Sequence, residues 1–204
     1  MTFTILAYLI GSIPTGIIVA KISGAADPRT VGSGNIGATN VGRAAGKTAG
    51  IITLAGDILK GFLLAMLATY LFSSSAEENF QIMVSIISLA VFLGHIFPIF
   101  LKFKGGKGVA TALGVLLAIG PLQAVLALLI FIIIAAVFRY VSVGSMIAAA
   151  SLPVWFGLFT SSRPYIPLTA IIAVLIILKH LDNIKRLMQG TENKIGSKKS
   201  NNLR

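Results

Sequence analysis

The sequence predicts an all-α protein, a polytopic bundle of about seven membrane-spanning helices with the N-terminus outside and the C-terminus in the cytoplasm. Three observations carry that expectation. Of 204 residues, 56% are hydrophobic and only 11% charged, which is more apolar surface than one soluble core can hide. Apolar runs occupy 2–22, 48–72, 81–101, 109–138, 143–160 and 165–179, separated by short polar stretches. The basic residues gather in alternate stretches, as the positive-inside tendency requires. With no internal repeat and no dividing linker, 1–196 reads as a single membrane-embedded domain, followed by a basic tail over 197–204 with the composition of a disordered segment.

The first run, MTFTILAYLIGSIPTGIIVAKISG, lacks a charged leading region and a small-residue cleavage site, so it reads as a retained first span. Pro14 within it marks a kink. Lys21, Arg29, Arg43 and Lys47 flank the loop that follows. The second span contains Asp57 and Lys60 at i,i+3, where lone charges are costly and are expected to form a structural ion pair, with substrate contact as the alternative. The second loop, SSSAEEN, holds Glu77 and Glu78 and no base, and the third holds Lys102, Lys104 and Lys107. The run 109–138 is interrupted by Gly120-Pro121, and proline ends or kinks a helix. Splitting it there puts Arg139 inside and Arg163 outside, with 15 of 17 basic residues on the cytoplasmic side. Segment 109–119 is short for a crossing, at about 1.5 Å per residue. A five-span arrangement with 109–138 as one helix has the same parity and stands as the alternative.

Charge and composition also exclude function classes. A net charge of +11 suits nucleic acid only when the bases share a soluble face, and here they lie between hydrophobic runs. No cysteine is present, which removes disulfides, thiolate catalysis and thiolate-bound metal, and two histidines with six acids leave little for any other metal site. Neither a metal nor another cofactor is expected.

Three polar blocks could carry chemistry. In GHIFPIFLKFKGGKGVAT, Gly94 to Thr111, the glycines Gly105, Gly106 and Gly108 precede an apolar helix and stand beside Lys102, Lys104 and Lys107. Backbone N–H groups freed at that helix start would form an anion cradle. The spacing excludes a GxxxxGK[ST] nucleotide loop. The bland alternative is a positive-inside anchor with glycines in a turn. His95, at the end of the preceding helix, reads equally as a structural donor or a proton-transfer group. The first loop, VGSGNIGATNVGRAAGKTAG, sets glycines beside Ser33, Gly34, Asn35, Thr39, Asn40 and Arg43, which suits tight turns presenting donors to an anion, with Arg43 as a bidentate phosphate ligand. Its alternative is a flexible loop with an ordinary interfacial arginine. In HLDNIKRLMQGTENKIG, an emerging helix would put His180 and Asn183 on one face at headgroup depth. An amphipathic exit helix lying on anionic lipid explains the same pattern.

Assembled, these blocks resemble the bacterial membrane glycerol-3-phosphate acyltransferases that use acyl phosphate as donor, the PlsY family. The resemblance covers nearly the whole chain: YLIGSIPTG, SGNIGATNVGR, GDILKG, GHIFPIFLKFKGGKGVAT and HLDNIKRLMQGTENKIG, in that order. It implies a multi-pass protein of the bacterial cytoplasmic membrane with its site at the cytoplasmic face. Carried onto this chain, Ser33 and Arg43 are required and contact substrate phosphate, and His180 and Asn183 complete the catalytic pocket. Gly34, Asn35, Thr39, Asn40, His95, Lys102, Lys104, Gly105, Gly106, Lys107, Gly108 and Thr111 serve substrate binding. Glu192 corresponds to a structural acid, within reach of Lys194 or Arg186. An enzyme that makes acyl phosphate is a potential partner, alongside membrane lipids.

The implied reaction moves a fatty acyl group from acyl phosphate to the sn-1 hydroxyl of glycerol 3-phosphate, giving 1-acyl-glycerol 3-phosphate and phosphate, the first step of phospholipid synthesis. Because phosphate is a good leaving group, positioning and charge stabilisation suffice to lower most of the barrier. A His-x4-Asp pair is absent, since Phe100 and Lys185 lie five residues after His95 and His180. Direct transfer without an acyl-enzyme follows, with the proton going to His180, to His95 or to a phosphate oxygen, and with the acyl chain among the helices of 109–160. The rival class is a small transporter of an anionic, phosphate-bearing solute. It is disfavoured by charges clustered on one membrane side and by the missing inverted repeat.

Overall fold

The computed structural model describes residues 2–73, 76–160 and 163–196, and for Glu77 and Glu78 the backbone alone. The tail 197–204 and Ser74 and Ser75 of the second loop lie outside the described residues. The described residues form an all-helical bundle without strands.

The first run is two helices, α1 (Thr2–Gly11) and α2 (Thr15–Ile22), bent by 41° at Pro14, which has no N–H to continue the ladder. Helix α1 packs against α5 (Glu77–Ile96) through glycine: a Cβ on Gly11 would overlap the Val91 backbone, and one on Gly94 would overlap the carbonyl of Tyr8. The Tyr8 hydroxyl then donates to Phe97 O at 2.7 Å.

Residues 38–45 correct the expectation of a first loop built only from tight turns. They form helix α3 (Ala38–Ala45), opened by Gly37 and closed by Gly46 at φ 90. Propensity alone is weak in ATNVGRAA, where Thr, Asn, Val and Gly offset the alanines; the helix is held by burying Val41 and Asn40 while Arg43 faces outward. Next come α4 (Lys47–Phe72), α6 (Val109–Ile119), α7 (Pro121–Phe138), α8 (Val141–Phe159), α9 (Tyr165–Leu178) and α10 (Leu181–Met188). The break falls at Gly120-Pro121 as the sequence requires, so 109–138 is not one helix. Helices α4 and α6 approach closely because Gly61 faces Thr111 O and Gly114 faces Ile58 O, where any side chain would collide with backbone.

Four helical segments among the described residues are long and apolar enough to cross a membrane, or six if α1–α2 and α9–α10 each count as one bent span. Helix α6, with 11 residues, is shorter; at about 1.5 Å per residue it reaches roughly half the hydrocarbon thickness. The interior is filled by Phe92, Phe156, Ile87, Ile96 and Ile172, while α7 presents Ile132, Ile133 and Val137 outward. Outward-facing aliphatic side chains on a helix this apolar suit lipid as solvent.

Two ends can be told apart. Gln123 Nε2 donates to Phe159 O at 2.9 Å and Ser85 Oγ to Pro164 O at 3.4 Å, which gathers the α6–α7 turn, the α8–α9 connection and the first half of α5. Opposite them, Arg139 and Ile195 pair through backbone and guanidinium, joining the α7–α8 turn to the segment after α10.

Candidate active site

A cavity of about 390 Å³ opens at the second of these ends. Its polar mouth is lined by Ser33, Asn35, Thr39, Asn40, Arg43, Asp57, His95, Lys107, Gly108, His180, Asn183, Arg186 and Glu192. Its inner wall is apolar, with Leu113 and Leu116 of α6, Ala127 and Phe131 of α7, and Ala149 and Leu152 of α8.

Two helices start at the mouth. Neither α3 at Gly37 nor α6 at Gly108 has a side-chain cap, so their first-turn N–H groups and positive dipole ends remain for an anion. Ahead of α3, the buried Asn40 staples the loop: its amide nitrogen donates to Pro28 O at 2.7 Å, Val31 O at 3.0 Å and Asn35 O at 2.8 Å, and its oxygen accepts from Ser33 N at 2.9 Å. The Asn35 side chain accepts from Gly37 N at 2.7 Å. Both amides therefore shape the loop, leaving the Ser33 backbone fixed and Arg43 exposed beside the cavity.

Ahead of α6, the glycines act differently from a row of free N–H groups. Gly106 N donates to His95 O at 3.2 Å, and a Cβ on Gly106 would overlap His95 Nε2. A Cβ on Gly105 would collide with His95 O and Pro98. The close approach of loop to helix end requires glycine at both. Gly108, at φ 83, turns the chain into α6. Lys102 and Lys104 are exposed and lie outside the cavity lining, as do Gly34, Gly105, Gly106 and Thr111. Thr111 is buried in the first turn of α6 with its hydroxyl unpartnered.

Lys107 is the lysine of this loop that turns inward, and it donates to Asn183 Oδ1. Burial pushes its ammonium down to about 8, against the opposing charge of Glu192. Asn183 Nδ2 donates to Glu192 Oε1 at 2.6 Å, Ser142 Oγ donates to the same oxygen at 2.9 Å, and Arg186 Nε donates to Glu192 Oε2 at 2.7 Å. Burial favours the neutral acid, yet these three donors and the Arg186 charge outweigh it and hold the Glu192 carboxyl below its usual range. Glu192 pairs with Arg186, one of the two bases within its reach, and Lys194 lies over the Tyr140 ring as well. His180, at the 49° bend between α9 and α10, has Nδ1 at 2.8 Å from Ile176 O. A carbonyl only accepts, so Nδ1 carries the hydrogen and a neutral ring keeps its lone pair on Nε2.

Asp57, for which substrate contact is the alternative reading, lines the cavity, and so does Ser142, to which nothing in the sequence points. Ser142 meets Glu192 across 50 positions of sequence, and no local pattern reports such a contact. Asp57 and Lys60 do form the expected pair, at 2.9 Å, and His95 Nδ1 joins them at 3.4 Å from the same Asp57 oxygen.

A bundle of helices long and apolar enough to cross a membrane, with a cavity that is cationic and amide-lined at its mouth and aliphatic within, has the make-up of a membrane enzyme for an anionic substrate and an apolar chain. The family model described as glycerol-3-phosphate acyltransferase matches residues 1–190. A protein of that name from Geobacter sulfurreducens is 49% identical over 194 residues, covering 95% of this chain and 96% of its own. One from Bordetella pertussis is 46% identical over 200 residues, covering 96% and 91%. Crystal structures of PlsY, an integral membrane glycerol 3-phosphate acyltransferase, superpose with TM-scores of 0.88 for the glycerol 3-phosphate form and 0.84 for the lysophosphatidic acid form. Their identities are 41% and 38%, and each comparison covers 96% of this chain and 94% of the other. The chain belongs to the glycerol-3-phosphate acyltransferase family and is an integral membrane acyltransferase.

Proposed function

We propose that this enzyme transfers a fatty acyl group from acyl phosphate to the sn-1 hydroxyl of glycerol 3-phosphate in one step, at the cytoplasmic face of the bacterial inner membrane. The observation that carries the reading is the convergence of two uncapped helix starts, α3 and α6, on one cavity whose inner wall is aliphatic. Two phosphates need two such places, and an acyl chain needs the wall.

In this reading Arg43 and the α3 start hold one phosphate, and Lys107 and the α6 start hold the other. The glycerol hydroxyl oxygen attacks the acyl carbonyl carbon, a tetrahedral intermediate forms, and the bond from that carbon to the phosphate oxygen breaks. The hydroxyl proton passes to His180 Nε2 and from there to the departing phosphate, so the products are 1-acyl-glycerol 3-phosphate and hydrogen phosphate. His180 suits this role better than His95, because its Nδ1 is engaged by Ile176 O while His95 is wedged between Asp57 and Gly106. Asn183, held by Glu192, orients Lys107. Ser33, whose backbone is fixed by Asn40, offers its hydroxyl to the same phosphate as Arg43. Seven crossings, with the N-terminus outside, place all of these groups and the tail inside, where acyl phosphate is made by a partner enzyme.

Purified protein in detergent tests the reading when given palmitoyl phosphate, palmitoyl-CoA and palmitoyl-acyl carrier protein in turn, with glycerol 3-phosphate. Product from palmitoyl phosphate alone, with phosphate release dependent on glycerol 3-phosphate, is expected. Equal use of the thioesters, or recovery of an acylated Ser33, would overturn it.

A further inference from the structure

We propose that Asp57 is a positioning residue for acyl transfer: through His95 it holds the glycine loop that sets the start of α6 and hence the phosphate received there. This inference rests on the function proposed above. Asp57 sits within α4 and is 2% exposed. Its Oδ1 lies 2.9 Å from Lys60 Nζ and 3.4 Å from His95 Nδ1, yet completes a hydrogen bond of good geometry with neither. The hydrogen bond of Lys60 goes instead to Ile13 O at 3.2 Å, at the break between α1 and α2. A carboxylate present only to neutralise Lys60 would have no reason to face His95 and the cavity as well.

His95 transmits the effect. A carboxylate 3.4 Å from Nδ1 favours the hydrogen on that atom and, through its charge, the ring orientation that turns Nδ1 toward it. The opposite ring atom, Nε2, faces Gly106 so closely that a methyl group there has no room, and the His95 carbonyl accepts from Gly106 N. Two residues later Gly108 opens α6, and Thr111 in its first turn keeps a buried hydroxyl without a partner. Ring orientation thus determines where the loop rests, and the loop determines where the first-turn N–H groups point.

Steady-state kinetics of Asp57→Asn, His95→Gln and the double variant test this. Asp57→Asn keeps the size of the side chain and removes its charge. The expected result is a KM for glycerol 3-phosphate raised about 10-fold with kcat within about 3-fold of wild type, and a double variant no worse than the weaker single one. Because Asp57→Asn leaves Lys60 without its counter-charge, Asp57→Asn/Lys60→Gln is measured in parallel, and the same rise in KM is expected. An unchanged KM in both Asp57 variants, or effects of Asp57→Asn and His95→Gln that multiply, would overturn the inference while wild-type turnover leaves the proposed function intact. A wild-type protein that does not acylate glycerol 3-phosphate would overturn both.

Discussion

The two helix starts at the cavity mouth are built by opposite means. Ahead of α3 one side chain does the work: Asn40 gathers three carbonyls and one N–H, and the loop takes its shape around that amide. Ahead of α6 the missing side chains matter, since Gly105 and Gly106 let the loop lie directly on His95. A staple tolerates change in the residues it gathers but not in itself, whereas a close approach is lost by any added methyl group at the contact. The two phosphate sites should therefore fail in different ways.

The largest effect is expected at the side chain that faces the anion in the first site. Arg43→Ala should lower kcat/KM by about 1000-fold, the scale of removing a charged donor from a developing negative charge, with Arg43→Lys intermediate because the planar fork is lost. Activity near wild type would remove Arg43 from the site. Gly106→Ala should cost about 100-fold, a displacement by one methyl group being enough to misplace a reacting group. Adding His95→Ala to it should recover part of that loss by making room; no recovery would show that the contact is not the cause.

Asn40→Ala should act more gently, leaving one N–H and three carbonyls without their partner at about 1–3 kcal/mol for the staple as a whole. The reading is faster protease cleavage within 28–37 and a drop in kcat/KM of about 30-fold, and a protease-resistant, fully active variant would contradict the staple. The smallest effect concerns pH. Burial lowers Lys107 to about 8, so it is cationic below that value and neutral above it, and anion binding that depends on the cation weakens as pH rises through it. The KM for glycerol 3-phosphate should rise about 5-fold between pH 7 and 9, and Lys107→Arg, charged throughout, should flatten the profile. Parallel profiles would contradict this.

Much of this was legible in the sequence, and the boundary has physical causes. Long apolar runs fix their helices because lipid leaves the backbone no other way to satisfy itself, and Gly120-Pro121 announced the α6–α7 break. The blocks holding Arg43, Lys107, His180 and Asn183 could be found because each is a local cluster of donors, and all four line one cavity. Helix α3 was hidden by its brevity and its glycines. Which lysine of the third loop turns inward depends on backbone direction: Lys102 adopts φ 51 and points away, while Lys107 immediately precedes the Gly108 turn. The contacts of Asp57 with His95 and of Ser142 with Glu192 join separate helices and segments, and spacing along the chain carries no trace of them.

The most direct measurement uses the absence of native cysteine. Single cysteines at Ala38 in α3, Ala110 in α6 and Asn193 after α10, all lining the cavity, are exposed to a membrane-impermeant maleimide in right-side-out and inverted vesicles. All three should label only in inverted vesicles, and glycerol 3-phosphate with a non-hydrolysable acyl phosphonate should protect all three together. Labelling from opposite faces, or protection of one position but not the others, would contradict a shared pocket for the two anions.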